Sequence, residues 1–299
     1  MKILITGASG LIGSSLVESL FKKGHTIRSL RRHKEKNWGR LWDTESLDTA
    51  EDQSPFDAVI HLAGENVANG RWNAKRKEQI LRSRVDGTWE LVDYISQPGK
   101  RPKVFVCASA TGYYGNCGDA VVDERSPAGS GFLAEVCRQW EETAAKAELA
   151  GIRVVNVRFG MVLSPRGGAL LKMLPAFKAG LGGVIGSGEQ FIGWIGMRDL
   201  TEIVSFVIEN DSLSGPFNVV TPNPVTNRTF VKTLGEVLGK PAIFPAPAVL
   251  VRLLFGEMAD EMVLSSCRVM PAKLLDAGYR FQEEDLRQVL AACVRGSQA

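Results

Sequence analysis

Short apolar runs, each followed by a glycine or polar turn and then by an amphipathic stretch of helical period, organise this chain from its start. Residues 2–6 read as a buried strand, and an apolar helical pattern follows through Leu16, Val17 and Leu20 to Gly24. Further strands are expected at 25–30, 56–62, 104–108 and 153–158, with a shortened one near 40–42 that ends at Asp43. Helices are expected at 73–95, where Ile80, Val85, Trp89, Leu91 and Val92 supply the inner face, and at 132–149. Beyond Gly160 the pattern predicts a helix at 200–209, a strand at 217–220, a helix capped by Thr226 through 238, and another at 248–255. Strands that are apolar throughout, alternating with helices, imply a parallel sheet covered on both faces.

The first turn is specific in its chemistry. "TGASGLIG" at 6–13 joins a strand to a helix, the setting in which a glycine fingerprint binds a dinucleotide. Gly7 permits the tight turn, Gly10 removes the side chain where backbone meets pyrophosphate, and Gly13 lets the helix pack closely on the sheet. Gly7, Ser9, Gly10, Leu11, Ile12 and Gly13 are therefore the cofactor-binding residues of this turn, and the helix N-terminus offers its amides to the phosphates. The expected fold is α/β, a Rossmann-type doubly wound parallel sheet over 1–165. A smaller C-terminal α/β lobe would occupy 166–299, with later strands free to rejoin the sheet. Arg31 and Arg32 end the second strand where NAD-selective domains carry an acid. Two guanidinium groups there suit the 2′-phosphate of NADP(H), and His33, Lys34 and Lys36 continue the positive charge.

Later strand ends add candidates. "HLAG" at 61–64 leaves Ala63 and Gly64 small enough for a cofactor to lie against them, whereas His61, inside a buried strand, reads as a packed residue. "SATGYYG" at 109–115 places hydroxyls at the carboxyl end of a parallel strand, where doubly wound domains keep their chemistry. Arg84, on the helix between them, can reach toward the cofactor phosphates.

Composition narrows the partners. A net charge of +3, with the basic residues dispersed, does not suit nucleic acid. The apolar runs are too short to span a bilayer, and a strand opening at Lys2 leaves no space for a signal peptide, so a cytoplasmic protein is expected. Five widely spaced cysteines do not suggest a disulfide scaffold, and with His25, His33 and His61 they form no metal-ligand pattern.

"TGASGLIG", "VIHLAG", "SATGYYG" and "VRFGMVLSPRGG" together resemble the extended short-chain dehydrogenase/reductase superfamily. "LAGENVANGRW", "SRVDGT", "FLAEVCRQWE", "GLGGVIGSGEQ", "WIGMRDL" and "FNVVTPNPVTN" make the chain similar to its atypical epimerase-family branch over essentially the whole length. The resemblance implies an NADP site lined by Arg31, Arg32, Leu62, Ala63, Arg84 and Val162, with Asp43 reaching the adenine edge. It also implies a C-terminal domain characteristic of the branch, and a homodimer paired through the long helices is a common arrangement among such relatives that the sequence leaves open. Ser109 matches the superfamily serine that holds the reacting oxygen.

The usual Tyr-x-x-x-Lys pair is missing. Phe132 or Leu133 falls at the tyrosine position and Val136 or Cys137 at the lysine position, and none of these can do the same proton chemistry. Besides Ser109, Tyr113 or Tyr114 could donate a proton, and Glu135 could act as general base if burial raised its pKa. Cys137 would be a nucleophile only with a stabilised thiolate. Two classes follow: an NADP-dependent oxidoreductase or epimerase acting on an unidentified small carbonyl, alcohol or sugar-nucleotide-like molecule, or an inactive NADP(H)-binding sensor or interaction protein.

Overall fold

The computed structural model describes residues 1–32, 41–49 and 54–296. Strand β1 (Lys2–Thr6) leads through helix α1 (Leu11–Lys22) to β2 (Thr26–Leu30), a single helical turn α2 (Glu45–Asp48) and β3 (Ala58–His61). Helix α3 (Ala74–Ile95), β4 (Val104–Ala110), a short β5 (Val121–Val122), α4 (Phe132–Ala145) and β6 (Arg153–Phe159) follow. The chain then passes through β7 (Met161–Leu163), α5 (Gly168–Lys178), β8 (Phe191–Ile192), β9 (Trp194–Gly196) and α6 (Met197–Glu209) to β10 (Gly215–Val219). The last elements are β11 (Val225–Thr226), α7 (Asn227–Leu238), α8 (Ala248–Phe255), β12 (Arg268–Val269), α9 (Ala272–Asp276) and α10 (Leu286–Gly296).

Six parallel strands form the central sheet in the order β10-β6-β4-β3-β1-β2, which is the expected Rossmann-type arrangement. Ile3, Leu4, Ile5, Val59, Ile60, Phe105 and Val106 are wholly buried, because helices cover both faces. Each such side chain contributes roughly 1.5–3 kcal/mol of burial. The strand from beyond residue 165, β10, lies beside β6 in register from Val155↔Gly215 to Phe159↔Val219. A second apolar cluster joins α5, α7 and α10 through Leu170, Leu174, Phe230, Leu234 and Leu290.

Local signals held where they were local. Asn73 caps α3 by accepting the Arg76 N–H at 2.8 Å, and Thr226 caps α7 by accepting the Thr229 N–H at 3.2 Å. Two expectations are corrected. No strand forms at Trp42, which makes only an isolated antiparallel bridge with Arg32; Arg40, like His33, Lys34 and Lys36, lies outside the described residues. Trp89 is not on the inner face of α3 but is 56% exposed. The helical period brings Gly87 and Thr88 inward instead, and Trp42 fills the space over Gly87, donating its indole N–H to Gly87 O at 2.7 Å.

Helices α4 and α6 have no capping side chain of their own. Gly131 precedes α4 and Gly196 precedes α6. Carboxylates from the C-terminal part fill both vacancies: Glu261 accepts the N–H groups of Phe132 and Leu133, and Glu283 those of Arg198 and Asp199. A Cβ on either glycine would collide with its carboxylate. Asp199 reciprocates by accepting the N–H groups of Gln282 and Glu283 and the Tyr279 hydroxyl.

His61 confirms its packed reading. Its Nδ1 lies 2.6 Å from Thr6 Oγ1, and its ring sits among Trp42, Phe105 and Trp140. Burial first, then the nearby Arg84 and Arg32 cations, hold its pKa down from 6.5 to about 3. Between those two values the unfolded chain binds a proton that the folded chain refuses, so this group makes stability fall as pH falls. The slope is about 1.4 kcal/mol per pH unit. Urea unfolding of wild type and His61→Leu at a series of pH values from neutral to acidic should show that component in the wild type and its loss in the variant. Parallel pH profiles would overturn the assignment.

Candidate functional site

From β1 the chain moves to β2 on one side and then crosses to β3 on the other, so the strand order reverses at β1. In such sheets the loops above the carboxyl ends of the two inner strands part and leave a crevice. Here the crevice is a cleft of about 860 Å³. Its floor is the Gly7–Gly10 turn and the Leu62–Gly64 strand end, and Arg31, Arg32, Trp42 and Glu65 form its far wall.

Glycine is required at two places in this floor. Gly7 adopts φ +71°, and a Cβ there would stand 3.0 Å from the Ala63 nitrogen and the Leu62 carbonyl carbon. At Gly13 a Cβ would run into the Gly7 carbonyl oxygen, so helix and turn can close up only without it. Gly10 N–H donates to Gly7 O at 3.0 Å, and α1 begins with no side-chain cap. Its first amides therefore open on the cleft. Ser9 lines the cleft, whereas Leu11 packs toward Gly167 and Gly168 and Ile12 packs against the core.

Arg31 and Arg32 stand exposed at the end of β2 with no acidic residue of that strand beside them. Arg31 has no ion-pair partner among the described residues, while Arg32 Nη1 lies 3.2 Å from Glu65 Oε1. Glu65 also pairs with Arg76 at 3.2 Å, and hydrogen bonds from Arg32 and Arg76 hold its carboxyl below the usual range. Asp43 is occupied locally: its carboxylate accepts the Ser46 N–H at 3.3 Å, and its neighbour Trp42 takes the cleft wall. Trp42, Glu65 and Ser29 are lining residues that sequence reasoning missed. Only the adjacency of Trp42 to Asp43 and of Glu65 to Gly64 pointed to them.

Arg84 stands just behind the strand end. Its guanidinium carbon would be 3.0 Å from a Cβ on Gly64 and lies 5.0 Å from the Trp140 ring centroid. Nη1 donates to the carbonyls of Ile80 and Glu65 at 3.1 Å. On α4, Leu133 packs against Gly112, and Cys137 lies in the core with its thiol pushed up to about 11, by burial and then by Glu141. The stabilised thiolate that a nucleophilic Cys137 needs is absent. Val162 sits on β7 opposite Ile195 and packs against the main core.

The structure brings Ser109 and Tyr114 together and leaves Glu135 apart. Ser109, 3% exposed, donates to Glu141 Oε1 at 2.6 Å. Glu141 is held by Arg158 through two bonds, Nε to Oε1 at 2.8 Å and Nη2 to Oε2 at 2.7 Å. Arg158 Nη1 donates to the Tyr114 hydroxyl, which donates onward to Asn218 Oδ1, both at 2.8 Å. The ring of Tyr113 lies over the same guanidinium, 3.5 Å from its centroid. Asn218 extends the network to Glu124 and to the Met270 carbonyl. Burial pushes the Tyr114 phenol well above its ordinary range, so it is a poor acid. Glu135 is exposed and hydrogen-bonded by Arg138, which lowers its pKa. The burial that would make it a general base is not there.

Relatives agree with this architecture. The NAD dependent epimerase/dehydratase family matches residues 3–220, and a domain of unknown function, DUF1731, matches 246–293. The chain is 40% identical to "Epimerase family protein Mb2239" of Mycobacterium bovis over 290 residues, 96% of each protein. It is 37% identical to the chloroplastic SDR39U1 homolog of Arabidopsis thaliana, covering 99% of this chain and 87% of that protein. The crystal structure of human epimerase family protein SDR39U1 with NADPH superposes with a TM-score of 0.88 at 33% identity, over 99% of both chains. Matched across its sheet and aligned with these proteins nearly end to end, the chain belongs to the NAD dependent epimerase/dehydratase family.

Proposed function

We propose that the cleft binds NADP(H) and that the chain is an oxidoreductase or epimerase acting on a small carbonyl, alcohol or sugar-nucleotide-like molecule. The observation that carries the cofactor reading is the far wall: two arginines where an NAD-selective domain presents an acid. The floor suits a pyrophosphate, because the Gly7–Gly10 turn lines the cleft and the helix that starts there has no side chain capping its first amides. The similar human protein was solved with NADPH.

When bound, the nicotinamide supplies or accepts hydride. The chain's own residues bind and orient. Arg31 is available to the 2′-phosphate at once, and Arg32 reaches it by exchanging Glu65 for a more highly charged anion. Ala63 and Gly64 let the cofactor lie against the strand end, with Arg84 behind them as a fixed cation.

A second reading, NADP(H) binding without turnover, is favoured by one feature. The hydroxyls of Ser109 and Tyr114 are spent inside the buried Glu141–Arg158 network, and the start of α4 offers Phe132 or Leu133, with Val136 or Cys137, where the superfamily carries its tyrosine and lysine. A panel of small carbonyl compounds offered with NADPH separates the readings: oxidation of the cofactor supports the enzyme, and inertness with tight retention supports the sensor.

The cofactor reading predicts that the wild type binds NADPH more tightly than NADH. Replacing both guanidiniums (Arg31→Ala with Arg32→Ala) should weaken NADPH by at least roughly tenfold, since each charge-assisted bond is worth about 1.5–3 kcal/mol. NADH should change much less, and the NADPH preference should shrink with added salt. Isothermal titration with both reduced cofactors checks this; equal wild-type affinities, or equal losses, would refute it.

The network reading predicts a structural outcome. Glu141→Leu leaves Arg158 buried and unpaired, at a cost of about 3–5 kcal/mol, whereas the double variant with Arg158→Met should recover most of it. Urea unfolding measures both, and a single-variant loss below about 1 kcal/mol would mean that the pair stabilises little.

A further inference from the structure

Three of the five cysteines, Cys107, Cys137 and Cys293, are buried. The other two are half-buried and face one another. Cys117 follows the turn after β4 and Cys267 precedes β12, yet their sulfurs are 3.8 Å apart. The two segments that carry them are stitched by backbone and side-chain bonds. Cys117 N–H donates to Ser266 O at 2.8 Å, Ser266 N–H to Asn116 Oδ1 at 3.1 Å, and Ser266 Oγ to Gly118 O at 2.6 Å. A disulfide needs about 2.05 Å between sulfurs, so closure asks for less than about 2 Å of side-chain movement.

We propose that Cys117 and Cys267 are a reversible dithiol–disulfide pair, oxidised by a low-molecular-weight disulfide, that ties the loop after β4 to the C-terminal segment. The reaction is thiol–disulfide exchange in two steps. The Cys117 thiolate attacks one sulfur of glutathione disulfide, forming a mixed disulfide and releasing one glutathione thiolate. The Cys267 thiolate then attacks the Cys117 sulfur and releases the second glutathione. The protein gives up two electrons and two protons, and the oxidant leaves as two thiols.

The order of attack follows from the surroundings. Burial raises the Cys267 thiol, and the adjacent Cys117 sulfur raises it further, so Cys267 is the poorer first nucleophile of the two. Once Cys117 is in the mixed disulfide, that second contribution is gone and Cys267 ionises more readily. The bond would close a ring from residue 117 to residue 267 and fix the turn bearing Tyr113 and Tyr114 against the C-terminal segment. This inference does not rest on the cofactor reading.

The test uses the full chain, reduced and then incubated with glutathione disulfide. Intact mass should fall by two hydrogens, and alkylation after unfolding should label three cysteines where the reduced protein has five. A peptide linking Cys117 to Cys267 should appear in a non-reducing digest, and the midpoint of thermal unfolding should rise by about 5 °C or more. Cys117→Ser and Cys267→Ser, each conservative in size, should lose no hydrogens and at most carry a glutathione adduct. The proposal is overturned if the wild type keeps five alkylatable thiols, stops at the adduct, links other cysteines, or forms disulfide-bonded dimers.

Discussion

Everything at the cleft depends on how closely two backbones approach. The turn after β1 and the end of β3 pass one another at a distance that leaves no space for a side chain at Gly7, and α1 starts so near the turn that Gly13 must be bare as well. That contact sets the direction of α1, and so aims its first amides into the crevice. It also requires β3 to end in small residues. Ala63 and Gly64 serve both the packing and the cleft floor, and Arg84 can rest against Gly64 because no side chain keeps it away. A specific fold and an anion-ready surface thus share one steric requirement.

The neighbouring strand ends are governed by charge. Ser109 on β4 and Arg158 on β6 are register partners, so their side chains emerge together under α4, where Glu141 meets both. Removing a guanidinium and a carboxylate from water is costly, and the site offsets that cost with two bonds from Arg158 to Glu141, one to the Tyr114 hydroxyl, and an aromatic face from Tyr113. Residues that a motif reading places at the reaction centre are thereby recruited to hold β4, β6, β10 and the C-terminal segment in one arrangement.

What could be read from the sequence was what depends on neighbours in the chain. The glycine turn, the arginines ending β2, the caps at Asn73 and Thr226, and the apolar strands all rest on short-range geometry. The partners of Ser109 did not, because Glu141 lies 32 residues away and only the sheet register brings it under the hydroxyl. Trp89 was misplaced since an apolar residue near a helical face reads as inward until a neighbour, here Trp42, takes the space. Glu65, half of an ion pair across the cleft wall, gave no sign beyond its place next to Gly64.

The glycines before α4 and α6 carry a consequence for how this chain can be divided. Each helix start is completed by a glutamate supplied from beyond residue 246, within the segment matched as a separate domain. Cutting the chain there would leave amide donors without their carboxylate acceptors at two points of the main body, and a fused substitute would have to present carboxylates at both places. Alanine at either glycine would exclude the incoming carboxylate while leaving the chain without a cap of its own. The boundary between the two matched segments is therefore a seam in sequence description only, because two helix starts on one side of it are completed by carboxylates from the other.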